Sequence, residues 1–141
     1  MNIVIDTCVW SLVLRRPRPD SADPWVRAFR AHMDRGDGTH LLGPILQELL
    51  EGLRIPRDLD RLASALQPFP LVPLGRDIYV AAARLRNTCQ RAGIQAGHTD
   101  ALIAAACIEH GLPLLTSDTD FAHIAEHCEL VLLPPHPVAA L

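Results

Sequence analysis

An unbroken apolar run, Ile3-Val4-Ile5, opens the chain and ends on a carboxylate, Asp6. A run with no polar alternation is the pattern of a strand buried on both faces, so residues 2–6 are predicted as a short central strand. A helix is expected from Val9 to about Arg15, and the prolines of Arg16-Pro17-Arg18-Pro19-Asp20 mark a loop after it. A second helix is expected from about Asp23 to Arg35, stopped by Gly36-Asp37-Gly38, with a second strand over 39–43. Pro44 suits the first position of a helix that carries Ile45, Leu46, Leu49, Leu50 and Leu53 on one broad face. A further helix over about 57–66 leads to Leu71-Val72-Pro73-Leu74, a short strand whose proline assigns it to a sheet edge.

The second half repeats the alternation. A long amphipathic helix is expected over about 76–92, ending at Gly93. The helix from about Thr99 to His110 contains Ala101-Leu102-Ile103-Ala104-Ala105-Ala106-Cys107-Ile108, apolar nearly all round, which predicts deep burial. Strand 113–117, helix 120–127 and strand 129–133 follow, and the prolines of Pro134-Pro135-His136-Pro137 predict an irregular tail. Strands alternating with helices imply a parallel sheet with right-handed crossovers and helices on both faces. With no internal repeat and no linker, residues 1–141 read as one α/β domain.

Composition narrows the chemistry. Apolar residues make up 49% against 21% charged, which argues for a packed core, and aromatics at 4% leave that core to aliphatic side chains. The net charge of −3 argues against a protein that coats nucleic acid, although not against an enzyme that acts on it. All 13 basic residues are arginine. Without lysine there is neither a P-loop nor a Schiff base. The N-terminus has no basic region before its short apolar run, and no stretch approaches a membrane span of roughly 20 apolar residues. Cys8, Cys89, Cys107 and Cys128 are scattered without a framework spacing, as expected of reduced thiols in the cytoplasm.

Five acids carry the functional signal: Asp6, Glu48, Asp100, Asp118 and Asp120. Asp6 ends the first strand, Asp118 and Asp120 follow the strand that ends near Ser117, and Glu48 and Asp100 lie in the opening turns of two apolar helices. Ligands of open parallel sheets bind outside the carboxyl ends of the strands, where such acids can converge. Gathered carboxylates raise one another's pKa, and a divalent cation relieves the repulsion; hard oxygen ligands select Mg²⁺ or Mn²⁺. Taken singly, each acid also has a structural explanation. Asp100 suits a helix macrodipole, Asp118 or Ser117 can cap a helix beginning near Asp120, and Glu48 with Glu51 can form a solvated helix edge. Asp6 is the hardest to explain so, because an unpaired carboxylate ending a buried strand is costly. Cys107, His110, His123 and His127 have a superficial zinc spacing, but a strand separates them and Cys107 belongs to the buried helix. A phosphohydrolase with Asp6 as nucleophile would want a second Asp where Cys8 stands.

The stretches Ile5-Asp6-Thr7-Cys8-Val9-Trp10, Pro44 to Gly52, Asp100 to Ala106 and Leu115-Thr116-Ser117-Asp118-Thr119-Asp120-Phe121 resemble, in order and spacing, a PIN-domain ribonuclease of the VapC toxin type. The resemblance implies a sheet order of 3-2-1-4-5. It also implies that Asp6, Glu48, Asp100 and Asp118 hold Mg²⁺ or Mn²⁺, with Asp120 and Thr116 auxiliary. The chemistry it implies is metal-dependent hydrolysis of RNA phosphodiester bonds; a PIN fold kept only for binding RNA or protein is the alternative. Cys8 stands where a hydroxyl is common in the family. A thiol is a weak hydrogen-bond donor, which weakens the expected support for a bound water.

Arg15, Arg16 and Arg18 beyond the first helix, and Arg84, Arg86 and Arg91 on the long helix, are candidates for RNA phosphate contacts; the alternative for each is a solvated face. The resemblance further implies a separately encoded antitoxin, with a homodimer as the expected assembly. An arginine from the antitoxin tail can pair with the acids, and the apolar helices near 9–15 and 45–53 offer its hydrophobic part a groove.

Overall fold

The computed structural model describes residues 1–15, 17–36 and 38–135. Arg16, Asp37 of the expected helix stop and the tail from His136 lie outside them. The first strand, β1 (Ile3–Ile5), is fully buried at all three residues, and because successive side chains point to opposite faces, both faces of the sheet are covered there. β1 runs parallel to β2 (Thr39–His40) on one side and to β3 (Leu114–Leu115) on the other, in the order β2-β1-β3.

Among the described residues, three strands form where five were expected. The segments at 71–74 and 129–133 are each reduced to one parallel bridge, Leu41 to Leu71 and Leu114 to Leu132. They still exchange backbone hydrogen bonds with the sheet: Val72 N–H donates to Leu41 O at 2.8 Å, and Leu133 N–H to Leu114 O at 3.0 Å. Pro70, Pro73 and Pro134 have no N–H to continue either ladder, which limits both edges. The expected strands at 39–43 and 113–117 are likewise shortened to two residues each.

Among the described residues, seven helices surround the sheet. α1 (Thr7–Leu14) begins two residues before the expected Val9, because Asp6 has an extended backbone and accepts from Thr7 N–H as its N-cap. α2 (Pro24–Asp34), α3 (Gly43–Glu51) and α4 (Pro56–Leu66) all carry proline in their first turn, where its missing N–H costs no hydrogen bond. α1 packs on α2 and α3, and α3 packs on α4. Trp10 of α1 holds this group together with edge-to-face contacts to Phe29 at 5.2 Å and Phe69 at 5.4 Å.

The second group is α5 (Arg76–Arg91), α6 (His98–Glu109) and α7 (Asp120–Ala125), in which α6 packs against both neighbours. α5 buries Ile78, Ala82, Leu85 and Cys89, one helical stripe, and Gly93 at φ 78° ends it while Ile94 N–H returns to Cys89 O. α6 buries Ala101, Ile103, Ala104, Ala105, Ala106 and Cys107, as its apolar run predicts. Its small side chains let α5 approach closely. No helix among the described residues is long and apolar enough to cross a membrane, and all four cysteines are free.

Ala104 is fully buried, so a larger side chain there must displace packed neighbours. Ala104→Leu is expected to lower stability by about 1–3 kcal/mol, read from the urea midpoint by circular dichroism. A variant as stable as the parent would mean that the α6 interface has slack.

Candidate metal centre

Asp6 sits at the junction of β1 and α1, only 6% exposed. Its Oδ1 accepts the N–H of Thr7 at 2.8 Å, and its Oδ2 accepts the hydroxyl of Thr116 at 2.7 Å. Thr116 is itself fully buried just after β3, the strand paired with β1. Parallel pairing thus delivers the hydroxyl to the carboxylate: Val4 and Ile5 are in register with Leu114 and Leu115, two residues and one residue before the polar ends Asp6 and Thr116. Burial pushes the Asp6 carboxyl above its ordinary value. The hydrogen bonds from Thr116, Thr7 and Cys8 oppose that shift, and the Glu48 charge adds to it.

Thr116 Oγ1 also accepts the N–H of Asp118 at 3.1 Å, and Asp118 Oδ1 accepts the N–H of Asp120 at 2.9 Å. The turn after β3 is therefore organised by side chains into the start of α7. The N-cap of this helix is Thr119, without a side-chain cap, so neither Asp118 nor Ser117 caps it as expected; Asp118 instead closes the turn before it. Asp100, in the first turn of α6, completes the cluster: one carboxylate oxygen from each of Asp100, Asp118 and Asp120 lies within 4.8 Å of the others.

Asp100 shows the consequence of this crowding. Its pKa is raised from 3.8 to about 6, by burial first and then by Asp118, Asp6, Asp120 and Glu48. Every contribution has the same sign, so four acids act on the fifth with nothing opposing them. Three hard oxygens within this spacing, embedded in uncompensated negative charge, fit a divalent cation such as Mg²⁺ or Mn²⁺. The zinc spacing finds no such support. Cys107 is buried in α6, and His110 Nε2 lies 3.0 Å from the carbonyl of Pro73.

The five acids are not equivalent. Asp100, Asp118 and Asp120 form the tight group, so Asp120, expected as an auxiliary, stands beside Asp100 and Asp118. Asp6 joins through Thr116 and its field at Asp100. Glu48 is exposed on α3, outside the tight group, yet its charge reaches both Asp6 and Asp100. Cys8 has a role that its weak donor strength does not suggest. Its Sγ accepts the N–H of Ser117 at 3.4 Å and lies 3.5 Å from both Thr116 Oγ1 and Asp6 Oδ2, and the hydroxyl on Asp6 is that of Thr116.

Of the arginines, Arg15 is exposed at the end of α1 with its guanidinium over Gly52, at the C-terminus of α3, where the helix dipole favours a cation. Arg84 is exposed on α5, about 200° around the helix from Arg86. His123, expected only within the zinc spacing, and Gln95, which no motif marks, share a hollow of about 370 Å³ with Asp120. The signal that ties His123 to Asp120 is its position three residues later, which puts both on one side of α7.

The raised pKa of Asp100 has a sign that can be tested without substrate. A carboxyl whose folded pKa lies above its unfolded value contributes stability below about pH 3.8, and that contribution is lost as pH rises through about 6. In chelator-treated protein, the thermal midpoint of the parent is expected to fall relative to that of Asp100→Asn across this interval. A gap between the two midpoints that does not change with pH would show that Asp100 is not strained when ionised.

The fold occurs in known proteins. Residues 3–127 match the PIN domain family. None of the curated proteins matches this chain. Solved structures do: VapBC2 from Rickettsia felis, bound to a promoter DNA fragment, superposes with a TM-score of 0.72 at 19% identity, covering 94% of this chain and 98% of that one. FitAcB from Neisseria gonorrhoeae gives 0.69 at 21% identity over 96% and 98%. VapBC-1 from nontypeable Haemophilus influenzae gives 0.72 at 16% identity over 94% and 97%. At these identities the likeness is one of fold, and it extends over nearly the whole of each chain. The family match runs from β1 past α7 and takes in all five acids; the chain belongs to the PIN domain family.

Proposed function

We propose that this protein is a Mg²⁺- or Mn²⁺-dependent endoribonuclease, the toxin of a toxin–antitoxin pair, with residues 1–141 forming one PIN domain that works in the cytoplasm. The observation that carries the reading is the convergence of Asp100, Asp118 and Asp120, one carboxylate oxygen of each within 4.8 Å of the others, and the upward shift at Asp100, to which Asp118, Asp6, Asp120 and Glu48 all contribute, accords with it. Such a concentration of negative charge is a liability for folding and an asset for holding a cation.

Asp100, Asp118 and Asp120 would hold the ion, with Asp6 and Glu48 completing its surroundings. When bound, it supplies an acidified water as nucleophile and positive charge against the phosphoryl oxygens. The chain's own residues fix the geometry. Thr116 orients Asp6 through Oδ2, and the same hydroxyl anchors the Asp118 turn, so the two strand ends move as a unit. Asp118 spends Oδ1 on the N–H of Asp120, which leaves Oδ2 without a hydrogen bond among the described residues. Arg15, Arg16 and Arg84 are proposed to contact RNA phosphates.

The antitoxin reading is supported by the neighbours in fold, several of which are toxin–antitoxin complexes. Leu14, at the end of α1, is exposed at 41%, and α1 packs on α3. This is the face on which the apolar part of an antitoxin tail would lie, with its arginine directed to the acids and a homodimer bringing two such faces together.

Asp6→Asn is expected to abolish cleavage of total cellular RNA in Mg²⁺ or Mn²⁺ while the protein stays folded, and to be as stable as the parent or more so in chelator. Undiminished cleavage by the folded variant would remove Asp6 from the mechanism. Addition of either ion is expected to raise the thermal midpoint of the parent, by mass action on the native state. The rise should vanish in an Asp6→Asn, Asp100→Asn double variant; an equal rise there would put the ion elsewhere.

A further inference from the structure

Three hollows follow one another along the edge of the α5–α6 pair, each sharing residues with the next. The first, about 370 Å³, begins at Asp120 and His123 and reaches Ile94 and Gln95. The second, about 440 Å³, keeps Ile94 and Gln95 and adds Arg86 and Gln90. Arg86 also lines the third, about 270 Å³, together with Tyr79 and His98. The series is thus a groove that starts at the acid cluster and leads away from it.

Its chemistry changes along its length. Asp120 is the only acid lining any of the three hollows. Beyond it come an imidazole, two amides, a guanidinium, a second imidazole and a phenol. Arg86 is held in place, since its Nε donates to the carbonyl of Ala96 at 2.8 Å, and its two remaining nitrogens make no hydrogen bond among the described residues. A guanidinium fixed through Nε presents its far edge, the geometry suited to a phosphate. Gln90 lies four residues after Arg86 on the same face of α5, and both Gln90 and Gln95 are exposed. A glutamine amide offers a donor and an acceptor side by side, which matches the edge of a nucleobase but adds little to a bare phosphate. Tyr79, 54% exposed, offers a ring face at the outer end.

We infer that this groove binds single-stranded RNA beside the cut, with Arg86 on a phosphate and Gln90 and Gln95 on the edge of one unpaired base. The inference rests on the ribonuclease reading above and adds to it a site that selects sequence. Single strands are required, because base edges become available to side chains when the base is splayed from its helix. An arginine-bearing peptide is the poorer fit, since beyond Asp120 the lining offers it no opposite charge. The exposed Leu14 does not line the groove either.

The experiment compares the full-length parent with a Gln90→Ala, Gln95→Ala variant in two assays. Cut sites in total RNA are mapped by sequencing in Mg²⁺ or Mn²⁺. Binding of a labelled random-sequence single-stranded RNA is followed by anisotropy in the Asp6→Asn background, which needs no turnover. The expected result is that discrimination at one position next to the cut falls by about tenfold or more, the loss of one paired base contact, together with weaker binding. Arg86→Gln should weaken binding to all sequences alike and lessen its salt dependence. Unchanged preference and unchanged binding in the double glutamine variant overturn the inference while leaving the nuclease intact. Failure of the parent to cut RNA, with binding still lost in that variant, overturns the nuclease and keeps the groove. Loss of antitoxin binding with unaltered cut preference assigns the groove to the peptide, and the inference fails.

Discussion

The carboxylate of Asp6 stands at the end of a strand whose every other side chain is out of contact with water, and much of the structure can be understood as the means of keeping it there. A charge in such a place needs hydrogen bonds on both oxygens. One comes from the first N–H of α1, which ties the strand to the helix after it; the other comes from Thr116, more than a hundred residues later. The second bond exists only if β3 lies beside β1 in its observed register, because a slip of one residue would turn Thr116 to the other face. A local demand at residue 6 thus constrains the pairing of the whole sheet.

The opposite tendency comes from the acids around Asp6. Burial and mutual repulsion both favour the neutral carboxyl at Asp100, so the apo protein carries electrostatic strain that the hydrophobic core must offset. That core is well suited to the load. α6 is buried over most of its surface, and small residues along it allow close contact with α5. Asp100 therefore projects from one of the most firmly packed elements in the chain. Rigid support of this kind holds like charges near one another when they would otherwise relax apart.

Much of this was legible in the sequence, and what was not has physical reasons. The central strand declares itself through three consecutive apolar residues, and the buried α6 through its alanine-rich run. The outer strands are shorter than the hydrophobic runs at 71–74 and 129–133 suggest, because Pro70, Pro73 and Pro134 in or beside those runs limit the pairing. The start of α1 was placed late, because Asp6 was read only as a candidate ligand and its second role, as N-cap, went unnoticed. Asp118 and Asp120 could be expected to lie near Asp100 from the fold alone. That Asp120 joins the tight group depends on the turn set by Thr116 and Asp118, whose hydrogen bonds no sequence pattern reveals. Gln95 and His123 line one hollow formed by elements distant in sequence; no motif marks Gln95, and the zinc spacing that includes His123 points to a different role.

The helices divide into two packing groups, α1 to α4 and α5 to α7, and the acids divide with them. Asp6 and Glu48 belong to the first group, Asp100, Asp118 and Asp120 to the second, and the β1–β3 pairing closes the seam between them. Neither half contains the full set. As the chain is synthesised, the first group can condense long before the last of the acids has been added, and the residues it then holds are too few to do what the five do together. Whatever chemistry the cluster performs is withheld from every intermediate that stops short of Asp120.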